Sequence, residues 1–161
     1  MNIRNATLAD LDRIMEIYDL GRAFMRANGN SAQWGNGYPS RELIREDIER
    51  GESYVITDEM EIHGVFLFMH REEPTYAVIE DGAWPNDLPY STIHRVATDG
   101  KCRGLFDLCV EFCAARASIL RIDTHKDNLP MQNAIARNGF TRCGTVYMAD
   151  GSPRIAYQKT V

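Results

Sequence analysis

The stretch from Ile93 to Asn128 constrains the fold more than any other part of the chain. Thr92 to Thr98 reads as a strand, Leu105 to about Arg116 as a helix, and Ile119 to Thr124 as a second strand. Together they make a βαβ unit. The helix carries its apolar stripe at Leu105, Leu108, Cys109 and Phe112, so that face packs on a sheet. Between strand and helix lies the turn Asp99-Gly100-Lys101-Cys102-Arg103-Gly104. It brings backbone N–H groups, a helix N-terminus and two cationic side chains to one place, which physically suits an anionic phosphate group. No Gly-x-Gly-x-x-Gly, Gly-x-Ser-x-Gly or Gly-Lys-Ser/Thr motif is present, so the common dinucleotide, hydrolase and P-loop arrangements are disfavoured.

The flanking segments supply the rest of a sheet. Ile3 to Asn5 reads as a short edge strand. Thr7 and Asp10 form a capping-box pair before a helix with its stripe at Leu11, Ile14, Met15 and Tyr18, reaching Met25. Gln33 to Pro39 is a glycine-punctuated loop carrying Trp34 and Tyr38, and Ser40 caps a second helix that Gly51 ends. Tyr54 to Thr57, Ile62 to Met69 and Thr75 to Ile79 read as a three-stranded antiparallel meander, and Glu80 to Ser91 as a polar, proline-rich loop. Asn128 caps a last helix with Pro130 in its first turn and Met131, Ala134 and Ile135 inside. Phe140 to Met148 and Arg154 to Gln158 form a hairpin around Ala149-Asp150-Gly151-Ser152. The predicted class is α/β with a mixed, mostly antiparallel sheet, in one domain over residues 1–161.

A net charge of −5 argues against general nucleic-acid binding and suits a cationic substrate. The longest apolar run, Val65 to Met69, is far short of a membrane span, and Met1-Asn2-Ile3-Arg4 lacks a signal-peptide core, so the cytoplasm is the expected location. Cys102, Cys109, Cys113 and Cys143 show no metal-ligand spacing and read as small packed hydrophobes, so no metal is expected. Exposed edge strands in a hairpin-ended sheet make a homodimer the expected assembly.

This order of elements, with a phosphate-type turn opening the third helix, resembles the GNAT superfamily of N-acetyltransferases over essentially the whole chain. The resemblance rests on Ile93-His94-Arg95-Val96-Ala97, on Lys101-Cys102-Arg103-Gly104, on Arg121-Ile122-Asp123-Thr124-His125 with Asp127-Asn128, and on Asn138-Gly139-Phe140. It implies acetyl-CoA as donor, an amine of a small molecule or peptide as acceptor, direct transfer, and no metal. It also implies cofactor contacts from the backbone of Val96, Ala97 and Thr98, from the turn Lys101, Cys102, Arg103, Gly104 and Leu105, and from Asn128. Three positions depart from the family pattern. Phe106 stands where a small residue lets the pyrophosphate approach the backbone, Asp107 adds a negative charge there, and Ile135 stands where a tyrosine often serves as acid.

An amine with an unperturbed pKa near ~10.4 must lose a proton before it attacks. His94 and His125 are the titratable candidates for that base, each with the alternative of a packed structural histidine, and Asp123 is placed to orient a histidine or bind the amine. Trp34, Tyr38, Trp84 and Tyr90 sit in two loops, where aromatics can build an acceptor pocket for a cation or simply plug the core. Two readings stay open: an active N-acetyltransferase, or a degenerate binding or regulatory module of the same fold, which Phe106, Asp107 and Ile135 favour.

Overall fold

The computed structural model describes residues 1–161. Its strands are β1 Asn2–Asn5, β2 Ser53–Thr57, β3 Ile62–Met69, β4 Ser91–Thr98, β5 Ile119–Thr124, β6 Thr141–Tyr147 and β7 Pro153–Thr160. They form one sheet in the order β1-β2-β3-β4-β5-β7-β6. Only β4 and β5 run parallel, and a single crossover helix joins them. The α/β class and the mixed, mostly antiparallel sheet are as the sequence predicts.

Helices cover the sheet on two sides. α1 Leu11–Ala27 and α2 Arg41–Glu49 pack over one face of β2, β3 and β4, where Leu11, Ile14, Ile17, Tyr18 and Ile44 meet Val55 and Val65. α3 Leu105–Ala114 and α4 Leu129–Arg137 cover the other face, with Cys109, Val110, Cys113 and Ile135 against Phe66, Ile93, Leu120 and Ile122. Strand alternation does this sorting: Val55 and Val65 face one helix layer, Ile56 and Phe66 the other. The expected capping pair is present, with the Thr7 N–H donating to Asp10 at 2.8 Å, although the first turn, Leu8–Asp10, is 3-10 and the α-helix starts one turn later.

One expected strand is absent. Thr75 to Ile79 lies outside the sheet, because Pro74 opens a 3-10 turn, Pro74–Tyr76, whose N-cap Glu73 accepts from the Thr75 N–H at 3.2 Å. Proline has no N–H for a ladder and its fixed φ favours the turn. Residues 70–90 therefore form a long loop over β6 and β7, where Tyr76 packs on Val146 and Ala156, flanked by Trp84 and Tyr90. This loop also covers the β6 edge. Glu80 and Thr145 exchange N–H to O bonds of 2.9 and 2.8 Å, and the Ala83 N–H donates to the Cys143 carbonyl at 3.0 Å. Gly82 permits that approach, since a Cβ there would lie 2.0 Å from the Cys143 oxygen. The outer edge of β6 is thus occupied over Cys143 and Thr145 by the chain's own backbone.

Candidate active site

The site begins with a failure of strand pairing. β4 and β5 pair only at Ser91 with Leu120 and Thr92 with Arg121, and no further partners follow along their facing edges. On its other edge β4 carries a bulge: Val65 pairs with Ala97 and Leu67 with His94, leaving Arg95 and Val96 opposite Phe66. Arg95 adopts a left-handed φ of 50°, unusual for a side chain of its size. The strain is held locally. The Tyr18 hydroxyl donates to the Arg95 carbonyl at 2.9 Å, and the Arg95 guanidinium reaches the Tyr38 hydroxyl at 3.2 Å and the Asp47 carboxylate at 3.3 Å. A bulge bends its strand and re-aims side chains.

At the split lies a cavity of about 560 Å³. Ile93 to Val96 of β4 and Ile122 to Thr124 of β5 line it, the α1–α2 loop contributes Gln33, Trp34 and Tyr38, and Met148 to Asp150 come from the β6–β7 turn. The loop is fastened across the split. Gln33 accepts from Asn128 Nδ2 at 2.9 Å through its side chain and from Arg154 at 2.9 Å through its carbonyl.

His94 stands on the cavity wall with its Nε2 3.0 Å from Glu73 and its Nδ1 3.5 Å from Asp123. Burial alone would raise the Glu73 pKa. The hydrogen bond from His94 and the ring's charge in its imidazolium form, joined by the Thr75 N–H and hydroxyl, outweigh it and hold Glu73 down at about 2. An ionised carboxylate only accepts, so Nε2 carries a hydrogen and donates it to Glu73. In the neutral ring Nδ1 is then the nitrogen that can take up a proton. Asp123 accepts from the Tyr76 hydroxyl at 2.6 Å, and the Tyr76 pKa is pushed up by burial and by that carboxylate. The result is a chain from Tyr76 through Asp123 to His94 and Glu73. Glu73 escapes a sequence reading that makes its neighbourhood a strand, although Glu73-Pro74-Thr75 is itself a turn signature.

The other expected residues divide. Trp34, Tyr38, Val96 and Asn128 line the cavity together with His94 and Asp123. Trp84 and Tyr90 do not: they sandwich the buried Arg121 guanidinium at 4.0 Å on each side, so their rings serve the core of the long loop instead of an acceptor. His125 lies off the cavity, where Nδ1 accepts from the Asp127 N–H at 3.1 Å, and burial with the nearby Arg154 charge lowers its pKa. The Asn128 side chain is spent on the Met131 N–H cap and on Gln33.

At the turn, Gly104 adopts φ 75° as the α3 N-cap, and Lys101 and Arg103 are exposed. The Phe106 ring is 9% exposed and belongs to the core beneath α3, among Cys109, Ile135 and Phe140, so it does not cover the turn. Asp107 is engaged by Asn138 at 2.8 Å and Arg137 at 3.2 Å. Ile135 is fully buried, with no cavity-facing role. Neither Ala97, Thr98 nor the turn residues Cys102 and Leu105 line the cavity, which stops short of the turn.

Behind the turn sits a charged network that sequence reasoning left without a role. His63 spans Asp99 and Asp58 at 2.9 Å each, Arg13 pairs with Asp99 at 2.8 Å, and Lys101 with Glu61 at 2.6 Å. Glu61, His63 and Asp99 are close enough to share a cation, but Arg13 and Lys101 already hold their carboxylates. The hydrogen bonds to Asp58 and Asp99 raise the His63 pKa above its ordinary 6.5. The stability this confers is complete below pH 6.5 and is lost as pH rises through the raised value. The Asp58 and Asp99 pKa values are lowered, so their share is present above 3.8 and is lost as pH falls. The difference in melting temperature between the wild-type protein and His63→Gln should therefore be largest between pH 3.8 and 6.5 and shrink on either side. A difference that is flat with pH would show that His63 is not charged in the fold.

No family model matches the chain, and no curated protein does. Solved structures match over its whole length. An acetyltransferase of the GNAT family from Streptococcus agalactiae is 31% identical, with a TM-score of 0.90 over 99% of this chain and 95% of that one. A ribosomal-protein-alanine N-acetyltransferase from Brucella melitensis, 19% identical, shares the fold with a TM-score of 0.63 over 100% of both chains. A Salmonella typhimurium protein solved with its cofactor acetyl-CoA, 15% identical, does so with a TM-score of 0.63 over 99% of this chain and 92% of that one. With nearly a third of its residues shared with the streptococcal enzyme along almost the full length of both, this chain belongs to the GNAT family of acetyltransferases.

Proposed function

We propose that this protein transfers the acetyl group of acetyl-CoA to a primary amine of a small molecule or peptide, by direct attack of the amine on the thioester. The observation that carries the proposal is His94, oriented by Glu73 at 3.0 Å on the wall of the cavity between β4 and β5. Its Nδ1 takes the proton that the ammonium must lose, and Glu73 and Asp123 flank the ring that receives it. No cysteine lines the cavity, which supports direct transfer over a covalent enzyme intermediate.

The donor would be held by the open edge of β4 and by the turn before α3, where Lys101 would exchange its Glu61 partner for a phosphate. The β4 edge facing β5 has no strand partner beyond Thr92, so the Val96, Ala97 and Thr98 backbone can serve the pantetheine arm. The Lys101 to Gly104 turn exposes two cations before a helix N-terminus, and the buried Phe106 ring leaves it open to a pyrophosphate. The acetyl-CoA complex of the Salmonella relative and the amine acetylation named for the Brucella relative agree with this assignment. All four cysteines are free, which suits a reducing compartment such as the cytoplasm.

Calorimetric titration with acetyl-CoA, followed by a free-thiol assay across amine acceptors, tests the proposal. The expected result is micromolar binding and thiol release that requires an amine. No binding at millimolar ligand, or thiol release indifferent to amines, would overturn it.

A further inference from the structure

Two guanidiniums stand on the walls of the cavity that holds His94, and one of them has no direct counter-charge. Arg154, on β7, is 7% exposed, and its hydrogen bonds all go to neutral oxygens: Ser152 Oγ at 3.2 Å, the Pro153 carbonyl at 2.9 Å and the Gln33 carbonyl at 2.9 Å. No carboxylate oxygen lies in ion-pair distance of it; Asp150, which also lines the cavity, meets it only through the Ser152 hydroxyl, so the buried guanidinium has no direct counter-charge. Burying a cation in this way costs free energy that an anion in the cavity would recover. Arg95, on β4, carries the second. Its Nη1 makes no hydrogen bond but is ion-paired with Asp47 at 3.3 Å, and its Nε donates to the hydroxyl of Tyr38, another lining residue.

The same cavity places negative charge elsewhere. Glu73 and Asp123 flank His94, where an ammonium would enter, while Met25, Trp34, Met131 and Met148 add apolar wall. Cationic and anionic groups on separate walls of one cavity match a zwitterion.

We infer that the acceptor is an α-amino acid with an apolar side chain, its carboxylate read by Arg154 and its amine presented to His94. The inference rests on the proposed transferase reading and narrows it to one class of amine. It makes Arg154 a specificity-determining residue.

Matched pairs test this: L-methionine, L-leucine and L-phenylalanine against their carboxamides, with acetyl-CoA saturating and thiol release as readout. The amides keep the side chain and lose the charge, and because their α-amine is also less basic, kcat/KM is compared per free-base amine. A charge-assisted hydrogen bond of the usual strength predicts kcat/KM about 10- to 100-fold higher for the best acid than for its amide, mainly through KM. In Arg154→Gln that ratio should fall toward one, and Arg154→Lys should retain part of it. A purely structural role for Arg154 would lower both substrates together and leave the ratio unchanged, which would overturn the inference. So would amides equal to acids in the wild-type protein, a comparison that needs no variant to fold. Acetylation of polyamines or peptide N-termini but of no free amino acid would sink the inference and leave the transferase reading intact. Acetylation of no amine at all would remove both.

Discussion

Replacing His94 by glutamine should lower kcat by about 100- to 10 000-fold, the usual contribution of a positioned base. Glutamine can still donate to Glu73, so the cavity wall keeps its shape, but it has no basic nitrogen at the Nδ1 position. Acetyl-CoA affinity should stay near the wild-type value, because the groups proposed for the donor are the β4 backbone and the Lys101 to Gly104 turn. Glu73→Gln is the companion test. An amide at residue 73 can donate to the ring, which places the histidine hydrogen on Nδ1 and spoils it as an acceptor. Its kcat should fall as well, with the protein still folded and the donor still bound. Single-turnover kinetics on the two variants separate chemistry from binding, and a His94→Gln enzyme that stays within about threefold of wild type would place the base elsewhere.

The second large effect concerns stability. Phe106→Ala should destabilise the fold by about 3–5 kcal/mol in denaturant unfolding, the usual cost of emptying a buried aromatic site. The ring sits among Cys109, Ile135 and Phe140 beneath α3, so its removal leaves a hole against the sheet. Acetyl-CoA binding should not improve. A ring lying over the turn would give the opposite pair of outcomes, near-neutral stability and tighter binding. The experiment thereby decides whether the family's small residue at this position is required for the pyrophosphate or only common.

Local patterns carried much of this. The separate elements of the βαβ unit, the Lys101 to Gly104 turn, the α1 and α3 stripes, the Asn128 cap and the turn of the closing hairpin are written in short local patterns, by side-chain period and by turn chemistry. Their positions agree with the structure to within a residue or two, apart from the 3-10 start before α1 and the longer β7. His94 and Asp123 were legible because the strands bearing them were. Of the long loop from residue 70 to 90, the half from Glu80 was legible as a loop and the half before it was not. Its apolar residues suggested a strand and an acceptor pocket, whereas Pro74 turned it and Arg121 claimed Trp84 and Tyr90.

Phe106 shows the limit most clearly. Its place in the turn motif was plain from the sequence, but the direction of its ring depends on the helix rotation that packing against Ile135 and Phe140 selects. Glu73 and Arg154 are alike in this: they are 21 and 60 residues from His94 along the chain and meet one cavity only because the sheet splits at Thr92 and two loops close over the gap. The sequence by itself determined the elements, their order and the family they resemble, since those follow from short-range periodicity and capping. Which charges share a cavity, and which of them lack a partner, was decided by tertiary structure alone, because Coulomb interactions and burial depend on distances through space that no local pattern encodes.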